Sequence, residues 1–80
     1  MIINYTPHGV CSRALHIEVE DHIIQNVQVV GGCSGNLQGI SSLLRGMRVE
    51  EAISRMEGIR CGAKHTSCPD QIAQALKQAL

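Results

Sequence analysis

Cys68 stands directly before Pro69, and an apolar-periodic run begins immediately after the pair. Proline is pre-organised for the first turn of a helix, so the pair predicts a helix start there, with the cysteine at or beside the N-cap. A sulfur in that place meets backbone N–H groups that have no partner within the helix, together with the positive end of the helix dipole. Both favour an anionic sulfur. The predicted helix runs from about residue 69 to residue 80 and buries Ile72, Leu76 and Ala79, with Ala73 beside them. A similar arrangement recurs upstream. Cys33 ends an apolar run behind Gly31 and Gly32, and a second helical pattern follows, capped by Ser34 or Asn36.

The first half of the chain has a different period. Residues 1–5 open with a short β-prone run that stops at Thr6-Pro7-His8-Gly9, a turn by composition. Beyond Cys11 comes a clean alternation, with Leu15, Ile17 and Val19 on one face and His16, Glu18 and Glu20 on the other. That is the signature of a half-exposed strand. Asp21-His22 reads as a reversal, and residues 23–30 resume with Val27 and Val29 opposite Gln28 and Val30. Helical spacing then takes over. Leu37, Ile40, Leu43 and Leu44 form one stripe, with Gly46 as the residue just past its end. Val49, Ala52, Ile53 and Met56 form another, with Glu50 and Glu51 in its first turn and Gly58 beyond it. Strands followed by helices predict an α+β fold: a three-stranded antiparallel sheet with two or three helices packed on one face, the other face turned to solvent or a partner.

Eighty residues make one domain, 1–80, without repeat, linker or low-complexity tract. A core of this size rarely supplies more than about 3–5 kcal/mol, so a staple such as a metal or an oligomer interface is expected. With no Trp, no Phe and a single Tyr, the core must be aliphatic. Lys plus Arg and Asp plus Glu both total seven, so the basic excess of a nucleic-acid binder is missing. No apolar run approaches a membrane span, and the N-terminus does not read as a secretion signal. The expectation is a soluble cytoplasmic protein, a monomer or homodimer. In a reducing compartment, four cysteines are metal ligands or redox thiols more often than disulfides.

Those cysteines are Cys11, Cys33, Cys61 and Cys68. No C-x-x-C pair occurs, so spacing alone carries no zinc-ribbon or thioredoxin signature. Placement carries more. In a meander, Cys11 enters a strand where Cys33 leaves its neighbour, and helices starting from the same sheet edge bring Cys68 within reach. Tetrahedral zinc takes four such sulfur ligands from separate segments. The competing readings are small buried core thiols and two disulfides. Position at element ends argues against the first, and the compartment against the second. His65 offers a further ligand or a supporting donor but reads better as a solvated loop histidine. His8 and Asp70 could touch the site, yet a turn residue and a first-turn acid explain them. His16 and His22 fit a strand's polar face and a hairpin tip. A backbone anion nest at residues 31–36 lacks any accompanying phosphate signature.

Thr66-Ser67-Cys68-Pro69-Asp70 spells the motif that names the TSCPD family, and with Cys11, Cys33 to Asn36 and Cys61 the chain resembles its small four-cysteine members. The resemblance covers essentially the whole chain. The same domain occurs at the C-terminus of adenosylcobalamin-dependent ribonucleotide reductases, so a link to ribonucleotide reductase and DNA synthesis is implied by kinship. The catalytic barrel, its radical-bearing cysteine and the cobalamin site cannot fit in this chain, which is not a complete enzyme by itself. More distantly, the element order is similar to U-type iron–sulfur cluster scaffold proteins, whose three cluster or zinc cysteines correspond to Cys11, Cys33 and Cys68. That family follows its first cysteine with Gly-Asp, where this chain has Ser12-Arg13 and so lacks the acid associated with cluster release. It places a histidine where this chain has Ser67, and it carries a chaperone-recognition segment that is missing here.

The resulting expectation is a metal-binding module in which Cys11, Cys33, Cys61 and Cys68 hold one metal, with Cys61 replacing the scaffold histidine. Zinc is the expected ion, because four thiolates without an open position describe a structural site. An iron–sulfur cluster accepts the same four ligands. The other alternative is a thiol redox relay through Cys61 and Cys68 that serves the reductase. The expected partner is ribonucleotide reductase or another protein.

Overall fold

In the computed structural model, which describes residues 1–10, 12–31 and 34–80, the chain is built on one hairpin. Strand β2 (Ser12–Glu20) and strand β3 (Ile23–Gly31) are joined by Asp21 and His22 alone. Both turn residues have positive φ, +53° and +62°. That is the pattern of a type I′ turn, whose twist matches the strands it joins. Neither residue is glycine, and the turn is held from outside. The Val49 N–H donates to the His22 carbonyl at 2.8 Å, and His22 Nδ1 lies 2.9 Å from Glu50 Oε1.

Strand β1 (Ile2–Tyr5) pairs antiparallel with β2, giving the order β1-β2-β3. The predicted alternation holds: Leu15, Ile17 and Val19 are buried, whereas His16, Glu18 and Glu20 are exposed. In β3 the buried residues are Ile24 and Val27, three apart, which a regular strand would place on opposite faces. A bulge reconciles them. Val19 pairs with Ile24 and Glu18 with Asn26, leaving Gln25 as the extra residue.

The three helices are α1 (Ser34–Leu44), α2 (Val49–Met56) and α3 (Cys68–Leu76). Gly46 (φ +88°) and Gly58 (φ +86°) take the left-handed conformation just past α1 and α2, as their positions predict. Helix α2 buries Val49, Ala52, Ile53 and Met56. The last helix is shorter than predicted. It leaves α-geometry after Leu76 and tightens into a 3₁₀ turn over Lys77–Ala79, with Ala79 only partly buried.

Helices α1 and α3 pack on the sheet, α2 packs against α3, and all bury the same sheet face. Ile3, Leu15, Ile17, Ile24, Val49, Ile72 and Leu76 are essentially sealed from water. Each such aliphatic side chain contributes about 1.5–3 kcal/mol, and the single aromatic, Tyr5, stays at the margin. The opposite sheet face is open, carrying Asn4, His16, Glu18 and Gln28. Among the described residues no helix is long and apolar enough to cross a membrane.

Candidate functional site

Cys68 is the first residue of α3, and its four motif neighbours fix it there. Ser67 is the N-cap, with extended backbone (φ −149°, ψ 171°). Its Oγ accepts the Asp70 N–H at 3.2 Å and donates its own proton to the Ile59 carbonyl at 2.7 Å. This is the capping arrangement that serine favours, satisfying one of the helix's orphan donors. Pro69 needs no N–H in the first turn. The Asp70 carboxylate accepts from the Gly58 N–H at 2.7 Å, from the Thr66 hydroxyl and from Gln74 Nε2 at 3.4 Å. The Thr66 hydroxyl, and after it the Gly58 N–H, hold the Asp70 carboxyl below its usual range against the opposing effect of burial.

Gln71 extends the clamp to the other end of the chain. Its Nε2 donates to Thr66 Oγ1 at 2.9 Å, and its Oε1 accepts the His8 N–H at 3.0 Å. The turn at residues 6–9 approaches so closely that a Cβ on Gly9, where φ is +72°, would lie 3.2 Å from Thr66 Cγ2. Two separate segments thus converge on the motif at the α3 start: residues 6–9 and residues 58–59. Among the described residues, every buried side-chain nitrogen or oxygen has a partner.

The Cys68 sulfur is half-buried and lies 3.5 Å from the hydroxyl of Ser12, which is buried at the start of β2. Ser12 pairs across the sheet with Gly31, the last residue of β3. Cys61 is exposed, in a turn closed by the Lys64 N–H on its carbonyl (3.0 Å) and by its own N–H on the Thr66 carbonyl (3.1 Å). Cys61 and Cys68 are both free thiols. Cys11 and Cys33, the other two predicted ligands, lie outside the described residues, as does Gly32 of the glycine-rich corner considered as an anion nest. Among the described residues, no three His, Cys, Asp or Glu side chains come together as a metal site.

The remaining candidates take the roles expected of them. His65 is exposed, as a solvated loop histidine should be. His8 reaches the motif only through its backbone, and its side chain is exposed. His16 bonds Asn4 on the open sheet face, and His22 bonds Glu50 at the hairpin tip. Asp70 is more than a first-turn acid, because it links α2's exit to α3's entry. The sequence alone gave Ser12, Gly58, Thr66 and Gln71 no part in the contacts around Cys68. Only one signal was available: Ser67 and Asp70 three apart, ahead of an apolar run, spell a capping box.

The family model for the TSCPD domain covers residues 1–80, and the chain belongs to that family. No curated protein and no solved structure matches it.

Proposed function

We propose that this TSCPD-domain protein is a small metal-binding module in which Cys11, Cys33, Cys61 and Cys68 hold a single zinc ion beside the start of α3. The observation that carries the reading is the 3.5 Å approach of Cys68 Sγ to Ser12 Oγ. Ser12 follows Cys11 directly in the sequence, and its cross-strand partner Gly31 stands two residues ahead of Cys33. Cys61 joins through a turn whose main chain is bonded to Thr66, two residues before Cys68. Four thiolates suit a structural zinc site, and they suit an iron–sulfur cluster as well. Kinship with the reductase-borne domain supports an accessory role beside ribonucleotide reductase in DNA synthesis.

A second reading is favoured by the two free thiols, Cys61 and Cys68. As a relay, Cys61 and Cys68 would close a disulfide while a disulfide in the reductase opens, two protons and two electrons passing from one pair to the other. Elemental analysis and an absorption spectrum, on protein isolated without oxygen, separate these readings. One zinc per chain without colour, lost on substituting any one of the four cysteines, is the expected result. Iron with sulfide and a brown colour would replace zinc by a cluster. A metal-free protein whose Cys61 and Cys68 react with thiol reagents equally with and without chelator would leave the relay.

A further inference from the structure

We propose that the open edge of β3, together with α1, forms a docking groove for an extended acidic segment of a partner protein, which joins the sheet as a fourth strand. β3 is last in the sheet order. Near the hairpin tip the chain covers this edge itself: Ile24 donates to the Met47 carbonyl at 2.9 Å and accepts the Gly46 N–H at 2.8 Å. From Gln25 to Gly31 the outer edge makes no backbone hydrogen bond among the described residues. Alternate residues of an antiparallel ladder turn both N–H and C=O away from the partner strand, so this stretch presents a row of unused groups. Charged residues and proline, which commonly guard such edges, are missing from residues 23–31.

A cleft of about 470 Å³ follows this edge. It is lined by Val27, Gln28 and Val29 on the strand side and by Gln38, Ser42 and Arg45 on the α1 side. Consecutive strand residues point to opposite faces, so a cleft touching all three runs along the edge and not over one face. A strand edge bordered by a helix suits an extended peptide, with main-chain bonds from the strand and selectivity from the helix.

Charge decides the occupant. Among the described residues no acidic side chain lines the cleft. Arg45 lies at one end, and at the Gly31 end the Arg13 side chain lies 3.3 Å from where a Cβ on Gly31 would sit. Among the described residues neither arginine has an acidic partner. Guanidinium groups pair best with carboxylates. A second copy of β3, with no charged residue, would leave both arginines unmatched.

The test is to pan the full chain against a phage-displayed library of random seven-residue peptides, then measure binding of an enriched synthetic peptide. The expected peptides combine Asp or Glu with β-prone residues. Arg45→Glu should weaken binding about tenfold or more, and Ser42→Trp, which fills the cleft, should abolish it. Amide exchange should slow at residues 27–31 in the complex. Failure to enrich acidic peptides, unchanged binding in Arg45→Glu, or protection confined to other elements would overturn the proposal. So would a dimer of the free protein that Ser42→Trp dissociates, because the occupant is then a second copy. Circular dichroism checks that each variant folds, and if Ser42→Trp does not, Arg45→Glu decides.

Discussion

Helices α1 and α3 are of similar length, and each begins at or beside a cysteine in the sequence, yet they are held in different ways. Helix α3 buries Asp70, Gln71, Ile72, Ala73, Ala75 and Leu76, and its first turn is tied by hydrogen bonds to two other segments. On α1, Leu37 and Leu44 are buried, Ile40 and Ser41 are partly covered, and Leu43 is 77% exposed. Among the described residues the start of α1 has no such ties, and the difference shows what a polar clamp adds. Apolar burial decides which face of a helix turns inward but, being non-directional, leaves more freedom along the helix axis. Directional bonds to Gly58, Ile59 and His8 remove that freedom at the α3 start, where the motif cysteine sits.

The widest separation should appear in the cores of the two helices. Leu76→Ala is expected to cost about 2–5 kcal/mol, since it opens a cavity in a sealed site. Leu43→Ala should stay within about 0.5 kcal/mol, because its side chain is already in water. Urea unfolding midpoints measure both, and similar losses would erase the contrast.

Removing the carboxylate of the clamp should come next. Asp70→Asn weakens the acceptor for the Gly58 N–H and the Thr66 hydroxyl, at a cost of about 1–3 kcal/mol. The effect also has a pH signature. The folded-state value of Asp70 lies below its ordinary 3.8. Its contribution is therefore fully present above the unfolded value and lost as pH falls through the folded one. Wild-type protein should lose more stability on acidification through that window than Asp70→Asn does. Parallel curves for the two proteins would remove Asp70 from the clamp.

Removing the cap should cost less than removing the carboxylate. Ser67→Ala is expected to cost about 0.5–2 kcal/mol. Amide exchange should quicken in the first turn of α3 and stay unchanged in α1. Equal quickening in both helices would mean that the two starts are coupled.

Much of the fold was legible because it follows from short-range period. Leu15, Ile17 and Val19 showed the strand, Val49 to Met56 showed α2, and Pro69 located the start of α3 to within one residue. The bulge at Gln25 was not legible, because an inserted residue has no chemical marker and only the partner strand reveals it. The end of α3 was also missed, as apolar spacing continues through Ala79 while the backbone tightens after Leu76. At the candidate site, Ser67 and Asp70 could be paired from their spacing alone. Gln71 could not be linked to His8 in that way, since the two lie 63 residues apart and meet only in the folded chain.

The bond from Ser67 Oγ to the Ile59 carbonyl closes residues 59–67 into a small ring, with Cys61 on its rim. Bringing two residues together across a flexible loop costs loop-closure entropy, and here folding has already absorbed it. The Cys61 sulfur is therefore leashed to the neighbourhood of Cys68 before anything binds. Lengthening the ring at residues 62–64 should slacken that leash and leave the α3 start undisturbed.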